Sequence, residues 1–309
     1  MLETFPAYLG LLHSGELQER VRTAYERLAY CTLCAWECKV DRRAGKLGIC
    51  RTGETARVSS YGAHMGEEDP LRGWCGSGTI FFSRCNLHCQ FCQNADISQT
   101  DSGDFAPLQE IAAMMLELQA RGCHNINLVS PSHVVPHILA AMLLAAQEGL
   151  VLPLVYNTGG YDSVGTLALL DGVVDIYMPD MKYASAQIAR RYSKIPNYPQ
   201  ANQAAVREMY RQVGDLQVDG RGIARRGLLV RHLVLPNDLA GTAEIVRFLA
   251  HEISQDTYLN LMDQYHPAFN ARQFPRLNRR ITSAEYRAAL TMATEAGLHR
   301  LDSRQPPAW

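Results

Sequence analysis

The residues best suited to chemistry in this chain are its cysteines. Seven of the nine fall into two groups at metal-ligand spacing, which are Cys31, Cys34, Cys38 and Cys50, and then Cys85, Cys89 and Cys92. Cys75 and Cys123 stand apart, and a small buried hydrophobe is the default expectation for each. Because no basic and apolar secretory leader is visible, we expect a reducing compartment, in which thiols bind metals rather than form disulfides. Metal chemistry is therefore the first hypothesis.

The second group forms a C-x3-C-x2-C motif directly after a predicted strand. Three thiolates suit a cubane 4Fe-4S cluster better than a structural zinc ion, because zinc needs a fourth protein ligand to complete its tetrahedron. The iron that lacks a protein ligand is then open to a substrate or cofactor. The alternative is a zinc knuckle completed by His88 or by a distant cysteine.

The first group reads C-x2-C-x3-C-x11-C. Four thiolates this close together in sequence can close a tetrahedral zinc site or hold a second iron-sulfur cluster. The spacing matches neither a ferredoxin run nor the paired C-x2-C of a zinc ribbon. Structural zinc and an auxiliary cluster therefore both stay open, with a metal-free segment as the third alternative.

The elements that must position these cysteines alternate between strands and helices. Six strands are predicted, at Thr79 to Ser83, Asn125 to Ser130, Leu152 to Asn157, Val173 to Met178, Leu228 to Leu235 and Tyr258 to Asp263. Helices are predicted before them at Leu17 to Tyr30, between them at Leu108 to Ala120, Val134 to Gln147, Val164 to Leu170, Ala184 to Tyr192, Gln200 to Val213 and Thr242 to Glu252, and after them at Ser283 to Ala296. This order predicts an α/β fold, a partial (β/α)6 TIM-like barrel whose working surface lies at the carboxyl ends of the strands.

Three regions are expected along the chain. Residues 1–75 would form an N-terminal helix and a Cys-rich metal-binding segment, residues 76–270 the barrel, and residues 271–309 a C-terminal helix and tail. The 309 residues carry a net charge of -1, so the basic excess that drives binding to nucleic acid or anionic membranes is missing. Apolar runs are too short to span a bilayer. We expect a cytoplasmic protein with no membrane or nucleic-acid partner.

With Phe91 just before the last cysteine, the motif resembles that of the radical S-adenosylmethionine (SAM) superfamily. Over about residues 76–267 the chain most resembles the pyruvate formate-lyase activating enzyme group, particularly its PflX-like branch. The resemblance implies that Cys85, Cys89 and Cys92 hold a 4Fe-4S cluster that binds SAM at its open iron. It implies an oxidoreductase in which one-electron reduction cleaves SAM to methionine and a 5'-deoxyadenosyl radical that abstracts hydrogen. A low-potential electron donor such as flavodoxin or ferredoxin would supply the electron.

Several strand ends also resemble activase motifs, and the resemblance assigns residues to the cofactor. The sequence MPDMK after the fourth strand resembles M-x-D-x-K, which gives Asp180 and Lys182 to the SAM carboxylate, directly or through an ion. Arg231 lies in a stretch that resembles R-x-V-V-V-P, and His266 in one that resembles P-Y-H. Asn94 is expected to cap or orient the cluster loop.

Two other strand ends depart from the activase pattern. After the third strand, Asn157 and Thr158 stand where activases carry D-T-N-G, so one acid of a monovalent-cation site is replaced and cation binding is left open. After the second strand, a G-G-E cradle for the methionine amino group is replaced by Ser130, Pro131 and Ser132. Because proline has no N–H to donate, this cradle would use carbonyls and the two serine hydroxyls.

Three functions follow from these patterns. The first is activation of a glycyl radical enzyme, the partner that the resemblance implies. Activases usually place Gly directly before the first cysteine and a basic residue eight positions before it, where this chain has Arg84 and Ser77. That difference counts against activation, while the altered second-strand motif and the N-terminal Cys segment favour the second, a radical SAM enzyme acting on a small molecule or peptide. The third, from another class, is an iron-sulfur electron-transfer protein without turnover.

Overall fold

A mostly parallel β-sheet forms the centre of the structure, a computed structural model that describes residues 5–302. Its strands are β1 Arg57–His64, β2 Ser77–Phe82, β3 Asp104–Phe105, β4 Ile126–Val129, β5 Leu154–Thr158, β6 Ile176–Pro179, β7 Gln217–Val218, β8 Ala224–Leu233 and β9 Tyr258–Met262. Strands β2, β4, β5, β6, β8 and β9 pair in that order, each parallel to the next. Strands β1, β3 and β7 add antiparallel pairings at the margins. The parallel strands therefore form a six-stranded partial barrel.

Helices cover the outer face of this sheet. They are α1 Tyr8–Ser14, α2 Glu16–Glu26, α3 Asp69–Arg72, α4 Ala95–Ser98, α5 Leu108–Ala120, α6 Val135–Gln147, α7 Val164–Ala168, α8 Ala186–Ser193, α9 Tyr198–Val213, α10 Thr242–Phe248 and α11 Ser283–Glu295, with short 3-10 or π turns at Pro236–Asp238, Leu249–Ile253 and Ala271–Gln273. Within residues 5–302, none of these helices combines the length and the apolar character that a bilayer crossing requires. The polar tail predicted after α11 ends in residues 303–309, outside the described residues.

The predicted alternation of strands and helices is confirmed, and all six predicted strands lie in the barrel. The predicted helix from Leu17 to Tyr30 ends earlier, at Glu26, because the chain turns there and the Cys31 amide bonds to Val40 O. Strand β1 escaped prediction because it is a largely exposed strand on the outer side of β2. Within it only Val58 is buried, so its sequence lacks the apolar alternation of a half-buried strand.

The barrel strands separate an outer apolar face from a more polar inner face. On β4, Ile126 and Leu128 pack into the main helix-covered core, which places the intervening Asn127 on the inner face. The amino end of the barrel is closed by α3, whose Leu71 packs against Val155 and Ile176. The interior is therefore apolar at the amino end of the barrel and polar toward the carboxyl end.

The segment before β2 is fastened to the barrel rather than separate from it. Strand β1 pairs with β2 along most of its length, and α2 packs on α6. The Tyr8 hydroxyl donates to Leu150 O and the fully buried Arg42 donates to His133 O, at 3.1 and 2.8 Å. The Cys-rich segment is thus held in a fixed place relative to the strand ends.

Asp175 links the start of the chain to β5 and generates a pH prediction. Its carboxylate accepts from the amides of Ala7 and Leu154 at 2.9 and 3.0 Å, and burial raises its pKa to about 6. The folded state therefore binds this proton more tightly than the unfolded chain, so stability contributed by the group falls as pH rises from about 4 to 6. When the pH is lowered from 7 to 4, the free energy of unfolding of the wild type should therefore increase by about 2 kcal/mol more than that of Asp175→Asn.

Urea unfolding of the two proteins at both pH values measures this difference. Equal pH dependence in the wild type and Asp175→Asn would contradict the raised pKa of Asp175.

Candidate active site

The loop after β2 brings three thiols to the carboxyl end of the barrel. Leu87 N donates to Cys85 Sγ at 3.4 Å, and the Ser193 hydroxyl donates to Cys89 Sγ at 3.0 Å. The Ser98 hydroxyl lies 3.1 Å from Cys92 Sγ. Every sulfur of the motif therefore has a hydrogen-bonding neighbour, and such bonds tune iron-sulfur clusters.

The donor set fits a cluster better than a single ion. Burial raises the pKa of Cys85 to about 12 and that of Cys89 to about 11, so these thiols ionise only when a cation binds them. Among residues 5–302, no three side chains of the His, Cys, Asp or Glu type lie close enough to share one metal ion. A cubane takes one thiolate on each of three irons, so it does not require such convergence.

Four polar side chains meet beside this loop, at the ends of β5, β6 and β8. Asp180 accepts from Lys182 Nζ at 2.5 Å and from Arg231 Nε at 3.0 Å. Arg231 Nη2 also donates to Asn157 Oδ1 at 2.6 Å. Sequence analysis assigned all four to the cofactor, and the structure brings them together. The oxygens that the resemblance gives to a monovalent cation thus pair with Arg231 and Lys182.

The charges in this group stabilise one another. Burial alone would raise the pKa of Asp180, but the guanidinium of Arg231 and the ammonium of Lys182 outweigh it and hold that pKa below its usual value. Burial opposes the charge of Lys182, yet the nearby Asp180 and Cys89 keep its pKa raised. Asp180, Lys182 and Arg231 are therefore ionised at neutral pH, and Lys182 lies within electrostatic reach of Cys89.

Residues of α9 hold the strand ends in place, and sequence analysis missed them. Asn202 Nδ2 donates to Gly160 O and Asp180 O, each at 3.0 Å, and the Tyr198 hydroxyl lies 3.0 Å from Asp180 O and 3.1 Å from Lys182 N. Gly160 has a φ of 76°, and a Cβ there would collide with Asn202 and the Asp180 carbonyl. The doublet Gly159-Gly160 and the helix from Gln200 to Val213 were both visible in the sequence, but the contact between them was not.

The predicted hydroxyl donors form a separate buried network. The Thr158 hydroxyl donates to Asp162 Oδ2 at 2.7 Å and lies 3.0 Å from Ser132 Oγ, and Tyr156 OH donates to Asp162 Oδ1 at 2.9 Å. Burial raises the pKa of Asp162. Ser130 is half-buried with a φ of 58°, and its amide donates to Asn157 O. Ser132 and Thr158 therefore support the loops, while Ser130 fixes the backbone next to Asn157.

Three further predicted residues lie around the cysteine loop. Phe91 is buried against the rings of Tyr183 and Tyr265. Asn94 is exposed and begins α4 through its backbone carbonyl, without a side-chain cap. His266 is exposed, with its Nδ1 3.4 Å from Gln93 Nε2.

The N-terminal cysteines lie beside the same loop. Burial raises the pKa of the Cys34 thiol, and the neighbouring Cys50 and Cys31 raise it further. Cys34 also pairs with Asp162 in a β-bridge. Burial raises the pKa of Cys38 as well, with Cys31 and Cys50 adding to it. All four thiols are thus close enough to influence one another.

One hydrogen bond joins the two cysteine regions directly. Trp36 Nε1 donates to the carbonyl of Asn86 at 2.7 Å. Asn86 follows the first cysteine of the radical motif, and its side chain lies 3.8 Å from Cys85 Sγ. A shift of the N-terminal segment would therefore move the backbone of the three-thiol loop.

The fold and site define an α/β barrel protein with three thiolate donors and a charged cofactor-type site at the carboxyl ends of its strands. The family model described as the Radical SAM superfamily matches residues 79–249. The chain therefore belongs to the radical SAM superfamily, which implies a 4Fe-4S cluster, SAM and cleavage of SAM by radical chemistry.

The chain is also similar to individual proteins. The uncharacterized protein MJ0674 of Methanocaldococcus jannaschii is 31% identical over 289 residues, which cover 91% of this chain and 79% of that protein. Among solved structures, methylornithine synthase (PylB) matches at 15% identity and a TM-score of 0.44, over 72% of this chain and 69% of its own. HydG, a maturase of the FeFe-hydrogenase, matches at 11% identity and a TM-score of 0.50, over 72% of this chain and 51% of its own. The HydG match shows a shared fold.

Gly160 and Gly149 offer a matched pair of substitutions. Both have positive φ, at 76° and 99°, but a Cβ at Gly149 would meet no atom within 4 Å. Gly149→Ala should therefore lose about 1 kcal/mol of unfolding free energy from backbone strain alone. Gly160→Ala adds the collision with Asn202 and the Asp180 carbonyl and should lose about 3 kcal/mol. Urea denaturation measures both losses, and equal values would contradict the close approach of α9 to the strand ends.

Proposed function

We propose that this protein is a hydrogen-abstracting radical SAM enzyme of the activating-enzyme type, with its cofactor held between the three-thiol loop and the Asp180 group. The observation that carries the proposal is the meeting of Asp180, Lys182 and Arg231 next to Cys89. A sulfonium amino acid carries both carboxylate and ammonium charges, and this group offers both complementary signs. When bound, the reduced cluster supplies the electron that cleaves SAM to methionine and a 5'-deoxyadenosyl radical.

The side chains of the barrel perform the remaining tasks. Lys182 and Arg231 would attract the methionine carboxylate. The carboxylate of Asp180 lies between the two cations and offsets their mutual repulsion. The buried aromatic rings of Phe91, Tyr183 and Tyr265 pack behind the cysteine loop and keep water from that side of it. Hydrogen abstraction needs no protein base, so these residues bind, orient and shield.

Glycyl-radical-enzyme activation is the preferred reaction, and pyruvate formate-lyase is the model of such a partner. The motifs that carry Asp180, Lys182, Arg231 and His266 all resemble those of activases. His266 is exposed next to Gln93 of the cysteine loop, where a loop of a partner protein could reach it. The electron would come from a low-potential donor such as flavodoxin or ferredoxin.

A small-molecule or peptide reaction is the second candidate, and the barrel interior favours it. Asn127 is fully buried on the inner face, and neither atom of its amide has a hydrogen-bond partner among residues 5–302. Asn260 Nδ2 donates to Glu68 Oε1 at 2.7 Å from another part of the interior. A polar interior with an unused amide suits a small polar substrate.

The four N-terminal cysteines complete the proposal as a second metal site. Cys31, Cys34 and Cys50 are buried, and Cys38 accepts a hydrogen bond from Ile49 N at 3.5 Å. By donor type, four thiols can serve either zinc or an iron-sulfur cluster, although no three of them converge on a single-ion position among residues 5–302. Metal analysis distinguishes these two.

Replacing Cys85, Cys89 and Cys92 together with Ala should abolish SAM cleavage and remove about four irons per chain, because each cubane contains four. Anaerobically reconstituted wild-type and triple-variant proteins are compared by iron, sulfide and zinc content and by 5'-deoxyadenosine release after reduction. Metal retained by the triple variant belongs to the N-terminal site, as about one zinc or about four irons. Undiminished 5'-deoxyadenosine release from the triple variant would overturn the proposal.

Activation of a glycyl radical enzyme has a direct spectroscopic signature. Incubation of reduced protein and SAM with purified pyruvate formate-lyase should produce a glycyl radical detectable by electron paramagnetic resonance. The triple cysteine variant is the control and should produce none. SAM cleavage without any partner radical would count against activation of this partner and favour the small-molecule alternative.

A further inference from the structure

A cavity lies between Cys50 of the N-terminal group and Cys85 of the radical motif, and it opens to the surface. Its volume is about 190 Å³, and its lining includes Cys50, Arg51, Arg84, Cys85, His88 and Phe269. Cys50 belongs to the N-terminal group and Cys85 to the radical motif, so each region contributes one sulfur-bearing residue to the wall. His88 Nε2 lies 3.2 Å from Ile49 O and joins the two walls. Through this cavity, solvent comes within contact of a cluster ligand.

Exposed apolar side chains lie in the wall of this cavity and in the chain segment that leads to it. Leu47 is 56% exposed, Ile49 41% and Phe269 49%. Phe269 also has a φ of 47°, a left-handed conformation that is unusual for a bulky residue. Strain and apolar exposure at the same position are typical of a surface that is selected for contact.

Cations are frequent in the chain segment that ends at this cavity. Between residues 39 and 51, the chain carries Lys39, Arg42, Arg43, Lys46 and Arg51 against the single acid Asp41. Arg42 is buried, whereas the other four cations are exposed. Glu37 and Glu54 flank the stretch, and Asp101 pairs with Arg84 at the cavity wall. In a chain of net charge -1, this local excess is a distinct positive patch.

We propose that this patch, formed by Leu47, Ile49, Phe269, Lys46 and Arg51, is the docking surface for an acidic one-electron carrier protein. The inference rests on the proposed radical SAM function, which consumes one electron for each reductive cleavage. Cys85 lines the cavity, so a carrier seated on its rim approaches the cluster through a ligand sulfur. In each delivery the carrier loses one electron and the cluster gains one, with no atom transferred.

A protein fits the patch better than a nucleic acid does. Nucleic acids are bound mainly through their phosphates, and recognition of their bases adds stacking or groove contacts. Here exposed apolar side chains lie among exposed cations, a mixture typical of protein interfaces with an apolar centre and a charged rim. Complementary charge also accelerates the encounter of transient electron-transfer partners.

The test compares two reductants for the same reaction. Wild type, Lys46→Glu/Arg51→Glu and the control Arg247→Glu/Arg287→Glu are assayed for 5'-deoxyadenosine release with reduced flavodoxin at increasing concentrations, and separately with dithionite. The control removes two exposed cations from the outer helices α10 and α11. Because charge reversal repels an acidic carrier, the patch variant should need about tenfold more flavodoxin for half-maximal rate. Its rate with dithionite should stay that of the wild type.

The outcomes separate this inference from the function on which it rests. If wild type releases no 5'-deoxyadenosine with dithionite, the proposed function fails. If dithionite works and the patch variant responds to flavodoxin as the control does, the docking surface alone fails. Tight binding of a single-stranded oligonucleotide by wild type, lost in the patch variant, would reassign the patch to nucleic acid.

A second variant guards against loss of folding. Leu47→Gln changes only an exposed apolar side chain and keeps every charge of the patch. It should raise the flavodoxin requirement without altering iron content or the dithionite rate. An unchanged flavodoxin requirement in both patch variants would overturn the proposal.

Discussion

The largely buried guanidinium of Arg231 is the constraint on which the site depends. A charged group inside a barrel is very costly unless opposite charge and hydrogen bonds surround it. Asp180 pairs with its Nε, Asn157 accepts from Nη2, and Glu67 lies 3.9 Å from Nη1. Because these partners come from the ends of two other strands and from the segment before α3, neutralising one cation fixes the relative positions of all of them.

The same constraint explains the residues that hold the backbone. Met181 N donates to Arg231 O at 2.8 Å, so the loop that carries Asp180 and Lys182 is tied to β8. On its other side, Asn202 Nδ2 donates to the Asp180 carbonyl, and the absence of a Cβ at Gly160 leaves room for this contact. Charge pairing and close backbone packing thus act on one short loop. Lys182 of this loop interacts electrostatically with Cys89.

Sequence analysis anticipated much of this arrangement because its signals are local. The six parallel strands are short apolar runs, and the thiols of Cys85, Cys89 and Cys92 follow one of them at a diagnostic spacing. Asp162 and Asn202 escaped notice because their roles depend on contacts between distant segments. Ser132 and Thr158 were predicted from strand-end position, yet position alone does not reveal that Asp162 engages the Thr158 hydroxyl.

Helix α3 packs at the amino end of the barrel and leaves the carboxyl end as its mouth. Leu71 packs with Val155 and Ile176 at the amino end, so the polar side chains of the interior face the end that carries the cysteine loop. A cofactor seated on the Asp180 group would lie across that mouth. A substrate held deeper, near the unpartnered amide of Asn127, would then lie behind the cofactor, so binding of one would influence access of the other.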